Sequence, residues 1–203
     1  MEQRKNETRY TYTDYASWQD DKRWELIDGV PHMMAPAPSS NHQEISANLM
    51  AILVNYLRGK SCKAFAAPYD VRLNANADDD TVVQPDISVI CDKTKIDEKG
   101  CKGVPDMLVE ILSPSTIKHD QITKFNKYRE AGVREYWIID PDIQCIFVHI
   151  WKNGNYFVQT YEETETVRVH VLEDCTVELA QVFPVLETPP EADAPATAGP
   201  PSV

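Results

Sequence analysis

The residue with the clearest chemical consequence in this sequence is a carboxylate inside an apolar segment. Residues 107–112 read MLVEIL, and Glu110 interrupts a run with the length and composition of a strand buried on both faces. Such a carboxylate loses its hydration at considerable cost unless a cation or strong hydrogen-bond donors meet it. The sequence therefore predicts that Glu110 belongs to a charged site built by other segments.

A second carboxylate, Asp86, lies within the apolar segment 82–91, 24 residues before Glu110. Two carboxylates on neighbouring strands can converge on one divalent cation, and Mg²⁺ prefers one or two carboxylates with waters and a phosphate oxygen. Asp106 lies on the same strand face as Glu110, but about 13 Å away, which is too far for one ion. Asp86 and Glu110 are therefore the predicted metal ligands, with Mn²⁺ as a substitute for Mg²⁺.

A helix predicted over residues 117–131 supplies a cation. Asp120, Lys124 and Tyr128 are spaced by four residues and so share one helix face. Packed against the strand, Lys124 would orient an attacking water or offset charge on a phosphoryl transition state. The alternative is a solvated ion pair between Lys124 and Asp120. Tyr128 is expected to pack in the core or to anchor a hydrogen bond.

The remaining elements must position these residues. Helices are predicted at 14–19, with Thr13 as N-cap, and from Ser40 or Asn41 to Gly59, where apolar residues recur at helical spacing. A hairpin turns at Asp28-Gly29, and residues 74–80 and 92–102 are expected to be loops. Strands are predicted at 24–27, 30–34, 62–67, 69–73, 82–91, 105–112, 135–139, 143–151, 156–161, 167–171 and 177–179. This order predicts an α+β fold or a mixed α/β sheet.

Length and composition indicate the number of domains, the cellular compartment and the kind of ligand. The 203 residues suit one domain, predicted at 10–187, between a flexible N-terminus (1–9) and a disordered Pro/Ala-rich tail (188–203). No apolar run approaches the length of a membrane helix, and five scattered cysteines predict free thiols in the cytoplasm. The net charge of −12 disfavours tight metal-free binding of nucleic acid. It is compatible with a nuclease whose carboxylates are neutralised by bound cations.

Six separated motifs, in the same order, make the chain resemble the Uma-type (Uma-two) putative restriction endonuclease family, within the PD-(D/E)XK nuclease superfamily. The motifs are WELIDG (24–29), SSNHQ (39–43), VVQPDISVI (82–90), PDMLVEILSPST (105–116), the D…K…Y spacing (120, 124, 128) and AGVREYWIIDP (131–141). The resemblance covers roughly residues 10–185. It implies a restriction-endonuclease-like fold, in which helices flank a central mixed β-sheet and antiparallel hairpins are added.

The resemblance also implies roles for individual residues. Asp86 is the Asp of the PD motif and Glu110 the second acid, and together they hold Mg²⁺. The superfamily places a lysine two residues after that acid, where this chain has Leu112. The lysine is therefore sought on the following helix, with Lys124 as first candidate and Lys127 as reserve.

Two further motif residues have alternative interpretations. Glu25 is either an additional acidic group of the site or a solvated hairpin residue. His42 either reaches the mouth of the site or caps and packs its helix.

Three functions are compatible with these residues. The first is a Mg²⁺-dependent DNA endonuclease acting as a homodimer. The second is a catalytically inactive nuclease-fold protein that binds nucleic acid or a protein partner. The third is a hydrolase of small phosphorylated substrates. If the protein is an active nuclease, we expect a basic groove beside the two carboxylates. The residues expected to contribute to it are Lys118, His119, Lys124, Lys127 and Arg129.

Overall fold

The computed structural model describes residues 8–34, 37–76, 78–114 and 119–184, with the side chains of 119–121 not described. Strands are numbered β1 to β14 and helices α1 to α3 along the chain. The predicted tail (188–203), most of the predicted flexible N-terminus and the start of the predicted helix at 117 lie outside the described residues.

A six-stranded mixed sheet forms the centre of the fold. In spatial order its strands are β12 (Asn155–Glu162), β11 (Cys145–Lys152), β10 (Glu135–Asp140), β9 (Met107–Ile111), β6 (Ile87–Ile90) and β3 (Lys63–Ala66). Strands β9 and β10 run parallel, and the other neighbouring pairs are antiparallel. Every residue of β9 is buried, as the apolar run of this segment predicts. The expectation of a central mixed sheet in an α+β fold is confirmed.

The chain also forms a second six-stranded sheet. Its spatial order is β2 (Val30–Met33), β1 (Trp24–Ile27), β5 (Val82–Val83), β4 (Val71–Arg72), β8 (Gly100–Lys102) and β7 (Ile96–Asp97). Strands β13 (Thr166–Arg168) and β14 (Thr176–Glu178) form a separate hairpin. The β1–β2 hairpin turns at Asp28-Gly29 as expected, and Asp28 has φ +50° and Gly29 φ +73°.

Helices cover both faces of the central sheet. Helix α2 (Ser40–Leu57) buries Ile45, Leu49 and Leu53 with Trp137 and other residues on one face. Helix α3 (Phe125–Ala131) buries Tyr128 with Leu108 on the other face. A π-helical segment, His119–Lys124, leads directly into α3. The N-cap of the short helix α1 (Tyr12–Tyr15) is Thr11. The predicted N-cap, Thr13, lies two residues later and is inside the helix.

Two segments differ from their predicted structure. The expected strand 82–91 is divided into β5 and β6, which belong to different sheets. Pro85 lies at the break, where it has no N–H to donate to a ladder. Residues 92–102, expected to be a loop, contain the short strands β7 and β8. These strands are too short and too charged to have an apolar alternation that sequence reasoning could detect.

The cysteine prediction is wrong for one pair. Cys62 and Cys91 form a disulfide, whereas Cys101, Cys145 and Cys175 are free and buried. The antiparallel pairing of β3 with β6 brings together the two ends that carry this pair. Residues 29 apart in the chain thus become neighbours through strand pairing, which their spacing does not indicate. Among the described helices, none is long and apolar enough to cross a membrane.

Candidate functional site

Strand pairing brings Asp86 close to Glu110. Strand β6 pairs antiparallel with β9 in a register that ends with Ile87 opposite Val109, and Asp86 and Glu110 are the next residue on each side of that pair. Oδ2 of Asp86 also accepts the backbone N–H of Ile111 at 2.8 Å. The two predicted metal-binding carboxylates are therefore neighbours.

Lys124 lies between two buried carboxylates. Its Nζ is 3.1 Å from Oε1 of Glu110 and 2.9 Å from Oε1 of Glu25. All three side chains are almost fully buried, at 3–4% exposure. In so little water an ammonium stabilises carboxylates much more than at a surface. The structure thus provides the cation that is expected near Glu110. Because both side chains are buried, Lys124 does not form a solvated ion pair and Glu25 is not a solvated hairpin residue.

Tyr128 completes the contacts of Glu110. Its hydroxyl donates to Oε1 of Glu110 at 2.7 Å, the same oxygen that Lys124 contacts. Burial, together with the negative charge of Glu110, raises the pKa of Tyr128 well above its ordinary value. The phenol therefore stays protonated and remains a donor. Lys124 and Tyr128 reach one oxygen because they are four residues apart where the π-helical segment joins α3.

Glu25 enters the site from the second sheet. It lies on β1, and its Oε1 accepts the backbone N–H of Gln84 at 2.8 Å as well as the contact with Lys124. Gln84 directly follows β5 at the point where the chain crosses to the central sheet. Glu25 therefore connects the two sheets through a charged cluster.

His42 reaches the site from the opposite helix. It lies in the first turn of α2, which Ser39 caps by accepting the His42 backbone N–H. The Nε2 atom of His42 is 3.3 Å from Oδ2 of Asp86, and its side chain is 8% exposed. Asp86 is thus contacted from the α2 side, whereas Glu110 is contacted from α3.

Two residues considered from the sequence lie elsewhere. Lys127 contacts Asp28 at 2.9 Å and Glu130 at 3.0 Å, so the structure brings Lys124 rather than Lys127 to Glu110. Asp106 accepts the backbone N–H of Cys91 and the guanidinium of Arg134. These contacts agree with the prediction that Asp106 does not share a metal ion with Glu110.

The carboxylate pair opens onto a cleft of about 720 Å³. Its rim includes the exposed residues Arg23, Pro38 and Asp142, so the cleft is accessible to solvent. The acidic side chains that line it, among the residues described, are Asp86, Glu110, Asp140 and Asp142. Arg23 and Gln84 were not expected at the site, although Arg23 precedes Glu25 by two residues, the spacing of one strand face.

The predicted basic groove is not formed by the described residues proposed for it. Lys124 and Lys127 are both ion-paired with carboxylates, and Arg129 lies over the ring of Phe125. The side chains of Lys118 and His119 lie outside the description. The positive charges of Lys124 and Lys127 are therefore offset by carboxylates in the folded chain, which the sequence alone does not show.

The carboxylate oxygens of Asp86 and Glu110 are the type of ligand that Mg²⁺ prefers. The contacts of Asp86 with Ile111 and His42 both use Oδ2, which leaves Oδ1 to a ligand in the cleft. Among the described residues, no three His, Cys, Asp or Glu side chains are grouped to hold a metal ion. Mg²⁺ does not require such a cage, since it keeps several waters and binds through one or two carboxylates.

The arrangement matches a known nuclease-like fold. The chain aligns with a solved structure described as a putative nuclease belonging to DUF820 from Anabaena variabilis, with a TM-score of 0.68 and 21% sequence identity. The alignment covers 85% of this chain and 97% of that one. At this identity the likeness concerns the fold. The molecule is thus a mixed α+β protein of this nuclease-like fold.

The family follows from sequence. Residues 12–180 match the model of the family described as "Uma2: Putative restriction endonuclease", and the chain belongs to that family. A curated relative, the uncharacterized protein slr1290 of Synechocystis, is 26% identical over 162 residues. This alignment covers 77% of the present chain and 82% of the relative. The family resemblance drawn from the six motifs is confirmed.

Proposed function

We propose that this protein is a Mg²⁺-dependent endonuclease that hydrolyses phosphodiester bonds of DNA. The observation that carries the proposal is that Asp86, Glu110 and Lys124 all line one solvent-accessible cleft, with Lys124 in contact with Glu110. Membership of a family described as putative restriction endonucleases supports this choice of reaction class.

In this mechanism Asp86 and Glu110 hold the metal. When bound there, Mg²⁺ would neutralise negative charge and activate water for attack on phosphorus. Lys124 directs its ammonium towards Glu110 and stabilises charge that develops on the phosphoryl oxygens. Tyr128 and Glu25 keep Glu110 and Lys124 in place by hydrogen bond and ion pair. His42 restrains Asp86.

The acidic character of the cleft makes the metal necessary for substrate binding. Among the described residues, four carboxylates line the cleft, whereas Lys124 is already paired with one of them, Glu110, and with Glu25. A nucleic-acid backbone would be repelled unless divalent cations reversed the local charge. The proposal therefore predicts that DNA affinity in the cleft rises with added Mg²⁺.

The proposal includes a homodimer, since two sites are required to cut the two strands of a duplex together. A monomer would nick one strand at a time. Analytical ultracentrifugation, together with the ratio of linear to nicked plasmid, tests this part separately from the chemistry.

The test of the function is calorimetric titration of Mg²⁺ and Mn²⁺, with plasmid cleavage measured on the same samples. We expect ion binding and metal-dependent cleavage in wild type and the loss of both in Glu110→Ala. Glu163→Gln is the matched control, because Glu163 is exposed and outside the cleft lining. Absence of ion binding in folded wild type would overturn the proposal.

A second candidate is a catalytically inactive scaffold that binds a nucleic acid or a protein. The commitment of Lys124 to two carboxylates favours it, because an ammonium so engaged has less charge to offer a phosphate. Ion binding without cleavage of plasmid, single-stranded DNA or RNA supports this candidate. Cleavage of p-nitrophenyl phosphate but not of plasmid would instead support a small-substrate hydrolase.

A further inference from the structure

Arg23 differs from the other cations near the carboxylate pair. Lys124 is buried between Glu25 and Glu110, and its charge is internally compensated. Arg23 is exposed, lines the same cleft, and forms no ion pair with any described residue. Its described side-chain contact is a hydrogen bond from Nη2 to the neutral oxygen Oε1 of Gln84 at 2.7 Å. Arg23 therefore brings an uncompensated positive charge to an otherwise acidic cleft.

Gln84 is itself held in one orientation. Its Nε2 donates to Oδ1 of Asp70 at 2.8 Å, and the hydroxyl of Tyr15 donates to the same oxygen at 3.1 Å. The amide nitrogen is thus directed towards Asp70, so the amide oxygen must face the other way, towards Arg23. The backbone N–H of Gln84 also donates to Glu25. One residue therefore ties the guanidinium at the rim to the buried charged cluster.

The position of Arg23 along the chain places it near the proposed chemistry. Its carbonyl accepts the N–H of Met34, so the ladder of the β1–β2 hairpin continues to this residue. Arg23 and Glu25 then lie on one side of the strand, about 7 Å apart along it. Glu25 contacts Lys124, which contacts Glu110. Arg23 is thus two residues along the strand from Glu25, which is connected to Glu110 through Lys124.

We propose that Arg23 binds a phosphate of the DNA backbone adjacent to the bond that is cleaved, a role that rests on the proposed function. A guanidinium is planar, always charged and forms two parallel hydrogen bonds to phosphate oxygens. The bond to Gln84 uses one amino group, and the remaining donors serve the phosphate. Arg23 thereby sets where the backbone lies over Asp86 and Glu110.

The test measures binding separately from cleavage. Fluorescence anisotropy of a labelled DNA duplex at a constant concentration of Ca²⁺, an oxygen-liganded divalent cation that takes the place of Mg²⁺, over a series of sodium chloride concentrations, compares wild type with Arg23→Ala and Arg23→Lys. We expect Arg23→Ala to weaken binding roughly tenfold and to lower the salt slope by about one. Arg23→Lys should keep the slope but recover the affinity only in part, since the ammonium is a point charge.

Arg168→Ala is the matched control, because Arg168 is exposed on β13 and is not among the residues lining the cleft. It should bind within twofold of wild type, roughly the effect of a remote surface residue. Circular dichroism checks folding, and Arg23→Gln replaces Arg23→Ala if the alanine variant is unfolded. Unchanged affinity and salt slope in Arg23→Ala, or an equal loss in Arg168→Ala, would overturn the role of Arg23.

Plasmid nicking with Mg²⁺ on the same samples separates this role from the proposed function. If wild type cleaves and Arg23→Ala binds and cleaves as well as wild type, only the role of Arg23 fails. If wild type neither binds the duplex nor cleaves plasmid, both proposals fail. A rise in KM for plasmid with little change in kcat supports phosphate binding by Arg23.

Discussion

The Nζ atom of Lys124 lies 3.1 Å from Oε1 of Glu110, and both side chains are almost completely buried. These residues are 14 positions apart, on a helical segment and on a central strand. A buried ion pair stabilises a fold little in comparison with apolar packing, but breaking one leaves an uncompensated charge. The pair is therefore more readily understood as part of a site than as a device for stability.

Replacing Lys124 should affect both activity and stability. Lys124→Met keeps the apolar length of the side chain but leaves Glu25 and Glu110 without their cation. Because removing one partner of a buried ion pair is strongly destabilising, we expect loss of plasmid cleavage and a decrease of about 3–5 kcal/mol in the free energy of unfolding, measured by urea denaturation.

Lys127→Met is the control for this change. Lys127 contacts Asp28 and Glu130, both of which are partly or largely exposed. It should retain cleavage and lose at most about 1 kcal/mol of stability. Equal loss of cleavage in the two variants would contradict the assignment of Lys124.

The Tyr128 hydroxyl should contribute to stability through its bond to Glu110. Tyr128→Phe removes this donor from a buried carboxylate, so we expect a loss of about 1–3 kcal/mol in urea denaturation. Tyr161→Phe is the control, since the Tyr161 hydroxyl donates to Gln159 at an exposed position. A change in Tyr128→Phe no larger than that in Tyr161→Phe would show that the hydrogen bond is unimportant.

His42 should tune the metal site through Asp86. Removing the imidazole in His42→Ala takes away one of the two described side-chain contacts of Asp86, and we expect Mg²⁺ affinity to fall roughly tenfold in calorimetric titration. His170→Ala, at an exposed position, should leave the affinity unchanged. Unaltered Mg²⁺ affinity in His42→Ala would contradict a role for His42 in holding Asp86.

Glu135 should make stability depend on pH. It is fully buried, and burial raises the pKa of its carboxyl above the ordinary value despite hydrogen bonds from Trp137 and Val171. As pH rises, the unfolded chain loses this proton first. The contribution of Glu135 is therefore largest below its unfolded pKa and declines until pH exceeds the raised folded pKa.

Urea denaturation of wild type and Glu135→Gln over this pH window tests the linkage. The difference between them should change with pH only in the window, because glutamine does not titrate. Glu163→Gln, at an exposed position, should run parallel to wild type. A pH-independent difference for Glu135→Gln would contradict the raised pKa.

Local patterns were sufficient to predict most elements. The apolar run around Glu110, the periodicity of α2 and the Asp28-Gly29 turn each identify a structure that the fold contains. These predictions of local structure succeed because burial on both faces, helical spacing and turn conformation leave marks within a few consecutive residues. The motifs also predict Asp86 and Glu110 as a metal-binding pair, which stays a prediction.

Tertiary structure alone decided how distant segments meet. The antiparallel pairing of β1 with β5 brings Glu25 to the backbone N–H of Gln84. Glu25 is a buried partner of Lys124, and Gln84 accepts the hydrogen bond from Arg23. Spacing also did not distinguish Lys124 from Lys127, because both follow Glu110 on the same helical segment. Their different carboxylate partners in space separate them. Charge pairing depends on distances between segments, and those distances are a property of the packed chain.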